Sequence, residues 1–170
     1  MRSMHLGVAL VTLALAAPAA RANSILSPAD QRVNRATPMI VSGRMAEAEP
    51  LLREAIAIDA NDAEAHYNLA VVLRATNRFP EAIGEYRAAE QIYAPDDEPN
   101  RAKCLYGIAL ATESLGDPGR AMTAWDEYVR FDSRFAHAQP AVAIAREHLV
   151  LQQNLAAAPT VPPGTQKAGR

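Results

Sequence analysis

The sequence has few of the residue types on which many functions depend. One cysteine, Cys104, excludes an internal disulfide framework and any zinc or cluster site built from several cysteines. A formal net charge of −2 and a pI of about 6.1 leave no bulk positive field for nucleic acid. With one Trp, five Tyr and three Phe in 170 residues, small apolar side chains supply most of the core. This composition favours close-packed helices over a sheet.

Motifs of common enzyme classes are also missing. The chain has no G-x-x-x-x-G-K-[ST], no G-x-G-x-x-G and no G-x-S-x-G. No His-Glu-x-x-His pattern is present, so we expect neither a metal site nor a cofactor. Cys104 has no histidine near it in the sequence, and we expect a thiol buried in a helix. The prediction is a non-enzymatic protein, with an enzyme that uses Cys104 or an unrecognised site as the alternative.

The first 22 residues have the pattern of a secretory signal peptide. Arg2 precedes an apolar run from Leu6 to Leu15, Pro18 follows it, and Ala20 to Ala22 form a small-x-small cleavage pattern. The uncharged stretch is about 15 residues long, which is short of the ~20 needed to span a bilayer. We expect cleavage before Asn23, a periplasmic location and no stable membrane span afterwards. Secretion and an uncleaved anchor are the alternatives.

The segments beside the expected fold contain little apolar surface. Residues 156–170 include three prolines, two glycines and one large apolar residue, Val161. Burial of so little apolar surface does not compensate for the conformational entropy lost when the segment becomes ordered. We therefore predict a disordered tail. Residues 23–28 are predicted to be a short linker, which leaves residues 29–155 to fold.

This central part repeats itself. Gly43–Ala48 is similar to Asn77–Ala82, which lies 34 residues later, and to Gly116–Ala121, which lies a further 39 residues along. The same offsets relate a second set of apolar positions: Leu52, Tyr86 and Trp125. The second offset exceeds the first by five residues. These extra residues fall around Asp96–Asn100, a polar stretch with a proline. We predict a longer loop there.

Each repeat has the pattern of two helices joined by a turn. Apolar residues recur every three or four positions on both sides of Asn77, a residue that tolerates the left-handed backbone of a helix end. A 34-residue helix-turn-helix with the pattern W-x2-L-G-x2-Y…A-x3-F…P is the tetratricopeptide repeat. The second repeat resembles it through His66–Leu73 and then through Ala82, Tyr86 and Ala89.

The resemblance implies an all-α, right-handed α-solenoid of three tetratricopeptide-like repeats at 29–62, 63–96 and 102–135. Residues 136–155 are predicted to form a capping helix that covers the apolar face of the third repeat, with a dimerisation helix as the alternative. The first repeat departs from the family pattern. Arg35 stands where Leu is expected, Pro38 lies inside the first helix, and Pro50 predicts a bend or irregularity in the second.

In this family the first helices line a concave groove that holds an extended peptide or a partner helix. An Asn in these helices often bonds the main chain of the partner, and the resemblance places Asn68 and Asn34 at that position. Gly107 stands there in the third repeat, which interrupts the Asn series. The other candidate groove residues combine apolar surface with hydrogen-bond donors: Tyr67, Val71, Arg74, Lys103, Tyr106 and Leu110.

These patterns predict an exported adaptor or scaffold that binds another protein or a peptide segment in the groove, and that binds no nucleic acid. The alternative is a subunit or assembly factor of an envelope complex. Secretion, polysaccharide export, pilus and cytochrome-maturation systems are the complexes considered. In that case the convex face or the capping helix makes the contact.

Overall fold

The computed structural model describes residues 26–132 and 139–157, and in these ranges every regular element is an α-helix. The predicted signal peptide, 1–22, lies outside the described residues, as do residues 133–138 and 158–170. Seven helices are described: α1 (Pro28–Val41), α2 (Met45–Ile58), α3 (Ala63–Ala75), α4 (Phe79–Ile92), α5 (Glu98–Ser114), α6 (Pro118–Asp132) and α7 (Gln139–Ala157). The predicted all-α solenoid is confirmed.

The starts of several helices are set by side chains that accept backbone hydrogen bonds. Ser27 Oγ accepts from the Asp30 amide at 3.0 Å, and the Asp30 carboxylate accepts from the Ser27 amide in return. Asp62 accepts from the amide of Ala65 at 2.9 Å at the start of α3. These bonds satisfy donors that the first turn of a helix leaves without an intrahelical partner.

The turn inside each repeat has a left-handed residue at the same repeat position. Gly43 and Gly116 have φ of 75°, and Asn77 has φ of 61°. Two hydrogen bonds close the turn after α3, from the Arg78 amide to the Leu73 carbonyl at 2.8 Å and from the Asn77 amide to the Arg74 carbonyl at 3.1 Å. This Schellman pattern ends the first helix and directs the chain into the second.

The core is built from equivalent positions of the three repeats. One set consists of alanines with no exposed surface, where the helices approach closely: Ala48, Ala82 and Ala121. The other set holds three of the largest fully buried side chains: Leu52, Tyr86 and Trp125. A small residue and a large residue thus alternate along each second helix, and their burial holds the two helices of a repeat together.

The stack curves because the first helices lie closer together than the second helices. Cα atoms of α1 and α3 approach within 8 Å, as do those of α3 and α5. Among the described helices, no such approach joins α2 to α4 or α4 to α6. The layer formed by α1, α3 and α5 is therefore on the inside of the curve, and this layer is the concave face.

The loop predicted at Asp96–Asn100 is shorter than expected. The first turn of α5 begins at Glu98, so residues 98–100 are helical and that part of the prediction is wrong. Pro99 lies in this first turn, where its fixed φ suits a helix, and Asp97 is the N-cap. The surplus residues therefore lengthen α5 to 17 residues instead of extending the loop.

The prolines of the first repeat do not interrupt its helices. α1 continues through Pro38, and α2 continues through Pro50. Proline has no backbone N–H, so one carbonyl group in each helix lacks its usual donor. Both prolines are exposed, and these carbonyl groups can bind water instead. At the other end of the chain, α7 runs to Ala157, two residues beyond the predicted 155, because alanine favours a helix.

Candidate functional site

The predicted groove residues lie on three neighbouring helices of the concave layer. α1 carries Asn34, and its side chain is exposed. α3 carries four half-buried side chains: Tyr67, Asn68, Val71 and Arg74. α5 carries the exposed Lys103 and two half-buried side chains, Tyr106 and Leu110. Since α3 contacts both α1 and α5, these side chains belong to one continuous layer.

An aromatic pair lies where α3 meets α4. The rings of Tyr67 and Tyr86 pack edge to face, with centroids 5.7 Å apart and planes at 61°. Burial raises the pKa of both hydroxyl groups. Arg74 partly offsets this effect, by a hydrogen bond and its charge for Tyr86 and by its charge alone for Tyr67. The guanidinium of Arg74 therefore lies close to both phenols, two turns along α3 from Tyr67.

Arg74 has no acidic partner among the described residues. Its Nε atom is buried and has no hydrogen-bond partner there, although the side chain as a whole is half-buried. Four other half-buried arginines are paired with carboxylates at 2.6–2.8 Å: Arg32 with Glu54, Arg78 with Glu49, Arg87 with Glu127 and Arg101 with Glu90. Among the half-buried arginines that the structure describes, Arg74 is therefore the exception.

The third repeat has no Asn at the Asn68 position because the space is occupied. Gly107 is buried beneath the ring of Tyr86, and a Cβ atom at position 107 would lie 2.5 Å from Tyr86 Cζ. A side chain at position 107 would force the ring of Tyr86 to move. The series of Asn34 and Asn68 therefore stops at the second repeat, and Gly107 contributes packing instead of a polar group.

Two predicted residues of α5 line a small hollow beside the groove. Its volume is about 210 Å³, and its walls are largely apolar: Pro99, Ala102, Lys103, Tyr106 and Tyr128. Tyr106 packs edge to face on Tyr128, with ring centroids 5.4 Å apart. Lys103 Nζ donates to Asn100 Oδ1 at 3.0 Å, so the ammonium group is held at the N-terminal end of α5.

The sequence did not predict the role of Glu113. Its carboxylate accepts a hydrogen bond from Trp125 Nε1 at 2.8 Å and lies 2.8 Å from His148 Nδ1. His148 also stacks on Trp125, with ring centroids 4.7 Å apart. Cα atoms of α7 approach those of α6 but not those of α5 within 8 Å. These three side chains therefore tie α7 to the third repeat.

The surroundings of Cys104 and His66 indicate that both side chains contribute to packing and hydrogen bonding. Cys104 is buried as expected, and burial, followed by the charge of Glu90, raises the pKa of its thiol to about 12. The ring nitrogens of His66 face the Glu85 carboxylate at 2.6 Å and the Ala60 carbonyl at 3.2 Å. Among the described residues, no group of three or more His, Cys, Asp or Glu side chains is arranged to hold a metal ion.

The convex face carries a groove between α4 and α6. Its volume is about 420 Å³, its walls are mainly apolar, and Ile83 and Leu115 contribute to them. Arg87 bridges it by donating two hydrogen bonds to Glu127, both 2.8 Å long. This pair is about 40% exposed, so its contribution to stability is modest.

The family model of the tetratricopeptide repeat matches residues 40–102, which include the second helix of the first repeat and all of the second repeat. The matched segment is a tetratricopeptide repeat region. No curated protein matches the chain. None of the described helices has the length and hydropathy of a membrane-spanning segment.

Solved structures share the fold of this chain at low sequence identity. The type III secretion translocator chaperone SycD of Yersinia enterocolitica has a TM-score of 0.67 at 13% identity over 78% of this chain and 97% of SycD. SycD in complex with a peptide of the translocator YopD has a TM-score of 0.65 at 13% identity, over 74% and 92%. A tpr-like protein of Chlorobium tepidum has a TM-score of 0.59 at 20% identity, over 74% and 94%.

Proposed function

We propose that this protein is a non-enzymatic adaptor that binds a segment of another protein in the groove formed by α1, α3 and α5. The observation that carries this proposal is the curvature of the stack, which places half-buried tyrosines and polar side chains together on the inner face. The solved complex of SycD with a peptide of YopD supports it, because that protein with the same fold holds a peptide. The buried thiol of Cys104, with its raised pKa, weighs against an enzyme that uses this cysteine.

In this proposal an extended segment lies across the first helices. The side-chain amide of Asn68 offers both a donor and an acceptor, and these suit a peptide main chain. Tyr67 adds rigid contact area beside it, and Asn34 offers the same amide one repeat earlier. Main-chain bonds contribute affinity, while the side chains of the segment contribute specificity.

The test starts from affinity purification of the full chain from cells that produce it, followed by titration of the captured partner. Asn68→Ala should weaken binding by about 1–2 kcal/mol, roughly five- to thirty-fold, while leaving the helical circular dichroism signal intact. Asn61→Ala is the matched control, since it removes an exposed amide from the loop between α2 and α3. Equal affinity of the Asn68→Ala and Asn61→Ala variants would contradict the groove assignment.

We also propose that the protein acts in the periplasm, after removal of residues 1–22. The support for this is the N-terminal pattern of a positive residue, an apolar run and a small-x-small site. Cell fractionation followed by N-terminal sequencing should recover a periplasmic chain that begins at Asn23. A cytosolic chain that retains Met1 would overturn the location and leave the groove proposal standing.

Membership of an envelope complex is the second candidate, and exposed apolar side chains on α7 favour it. Ile144, Leu151 and Leu155 are 46–51% exposed, and their spacing places them along one side of the helix. Contact through this side predicts that partner capture survives Asn68→Ala and is lost on Leu151→Asp. Contact through the groove predicts the reverse, so the two variants together separate the candidates.

A further inference from the structure

The attachment of α7 to the rest of the fold depends little on apolar burial. Among its described side chains, Ala145 is the fully buried apolar one, and Leu149 packs half-buried against the core. Ile144, Leu151 and Leu155 are instead 46–51% exposed. Burial of an alanine stabilises less than burial of a leucine, because it removes less apolar surface from water. Polar contacts therefore contribute a large share of the free energy that holds α7 in place.

The main polar contact is made by His148, which lies between a carboxylate and an aromatic ring. Its Nδ1 atom is 2.8 Å from one oxygen of Glu113 and 3.1 Å from the other. Its ring stacks on Trp125, with centroids 4.7 Å apart and planes at 28°. Trp125 Nε1 donates to the same carboxylate at 2.8 Å and so fixes its position. The His148 side chain is 33% exposed, which lets the ring exchange protons with water.

Protonation of this ring changes how strongly it holds both neighbours. A neutral imidazole with its hydrogen on Nδ1 already donates to Glu113. A second proton on Nε2 places a positive charge against the carboxylate and strengthens the bond. The imidazolium is also attracted to the face of the indole. Histidine is the side chain whose charge ordinarily changes between about pH 5 and 8, whereas carboxyl groups ordinarily titrate near pH 4.

Glu113 is the only acidic group within 4.0 Å of His148 among the described side chains. The other charged residues of α5 lie ten or more residues before Glu113, which is about 15 Å or more along the helix axis. Arg146 and Glu147 on α7 are exposed, and residues one or two positions apart on a helix do not face each other. Charged residues of α6 have other partners: Asp126 pairs with Arg130, Glu127 with Arg87 and Arg120 with Asp117.

We propose that Glu113, Trp125 and His148 form a pH-sensitive clasp, which fastens α7 more firmly as the pH falls from about 8 to 5. Among the described helices, the Cα atoms of α7 approach only those of α6 within 8 Å, so no other helix packing holds α7 when the clasp weakens. Release of α7 uncovers Trp125, which has no exposed surface while α7 is attached. The clasp thereby regulates access to the apolar face of α6. This regulation goes beyond the proposed function and requires no peptide in the groove.

Trp125 is the single tryptophan of the chain, so the fluorescence of the full protein reports on the clasp directly. A protonated imidazole quenches a stacked indole more strongly than a neutral one. We therefore expect the emission to fall along one titration curve between pH 8 and pH 5. His148→Gln should abolish this transition, because the amide can donate to Glu113 but takes up no proton. His66→Gln is the matched control and should retain it, since His66 bonds Glu85 in the second repeat.

Hydrogen exchange measures the consequence for α7. After correction for the intrinsic pH dependence of exchange, the amides of residues 143–157 should open about three- to tenfold less often at pH 5 than at pH 8. Amides of α1, which has no histidine, should show no such difference. His148→Gln should remove the difference. Glu113→Gln, which removes the negative charge and keeps an oxygen for Trp125, should lessen it.

Two results would overturn the clasp. The first is an unmodified chain without a fluorescence transition, or a transition of unchanged size in His148→Gln, since another group would then be acting on Trp125. The second is exchange in residues 143–157 with the same pH dependence in the unmodified chain, His148→Gln and Glu113→Gln. Circular dichroism at both pH values confirms that each variant is folded before the comparison.

Discussion

Gly107 packs directly beneath the ring of Tyr86, and this close contact joins the second repeat to the third. Tyr86 is only 2% exposed, and its ring also meets Tyr67 and the guanidinium of Arg74. The ring therefore has little room to move aside. Glycine weakens a helix interior by up to about 1 kcal/mol relative to alanine, and here the contact with Tyr86 requires it.

Gly107→Ala should destabilise the protein by about 1–3 kcal/mol, because the strain of overpacking exceeds the gain in helix propensity. Urea unfolding followed by circular dichroism measures the change. Gly84→Ala is the matched control in α4, where a new Cβ meets nothing within 4 Å. It should stabilise the protein by up to about 1 kcal/mol. Similar effects of the two variants would contradict the packing described here.

Substitutions at the left-handed positions of two turns should change the free energy of unfolding in opposite directions. A Cβ atom at Gly43 has open space around it, so Gly43→Ala isolates the strain of a left-handed backbone, about 1–2 kcal/mol. Asn77→Gly relieves this strain at the equivalent turn and should raise the free energy of unfolding by a few tenths of a kcal/mol to about 1 kcal/mol. Equilibrium unfolding measures both. A stabilising Gly43→Ala would contradict the turn geometry.

Glu113 should control how firmly α7 is attached. Glu113→Ala leaves Trp125 Nε1 without its acceptor and should lower the stability by about 1–3 kcal/mol. Hydrogen exchange within residues 143–157 should rise more than exchange in α3. Glu113→Gln retains an oxygen that can accept from Trp125, so its effect should be smaller. Equal exchange in all three proteins would show that α7 is held by other contacts.

Cys104 predicts a loss of stability at alkaline pH. Its pKa is raised from 9.0 to about 12 in the folded protein, so the unfolded chain releases this proton at a lower pH. The free energy of unfolding is therefore unaffected by this thiol below about pH 8 and falls as the pH rises from about 9 to 12. Urea unfolding at several pH values should show this slope. Cys104→Ala should make this slope shallower, and the slope that remains is due to the tyrosines.

The rate at which Cys104 reacts with a thiol reagent at pH 8 gives an independent measurement of its burial. Native Cys104 should react on the order of 100-fold or more slowly than the thiol of the urea-unfolded chain, because reaction requires an opening of the fold. Rapid modification of the native protein would show that the thiol is accessible. That result would also reopen the possibility of an enzyme that uses Cys104.

Local sequence patterns were enough to predict the helical repeats. The 34-residue offset, the left-handed position at Asn77 and the recurring alanines each reflect a requirement within one helix pair. The prediction of a loop at Asp96–Asn100 was wrong because polar residues and a proline occur both in loops and in the first turn of a helix. The cap formed by Asp97 decides between the two.

Backbone propensity and apolar spacing act over a few residues, so the sequence alone predicts paired helices with a shared repeat. The packing of the helices establishes three further relationships: Arg74 has no acidic partner among the described residues, Tyr86 fills the space above Gly107, and Glu113 ties α7 to the third repeat. Each of these relationships depends on side chains from helices that are distant in sequence. Their distances follow from how the helices pack, and no local pattern encodes them.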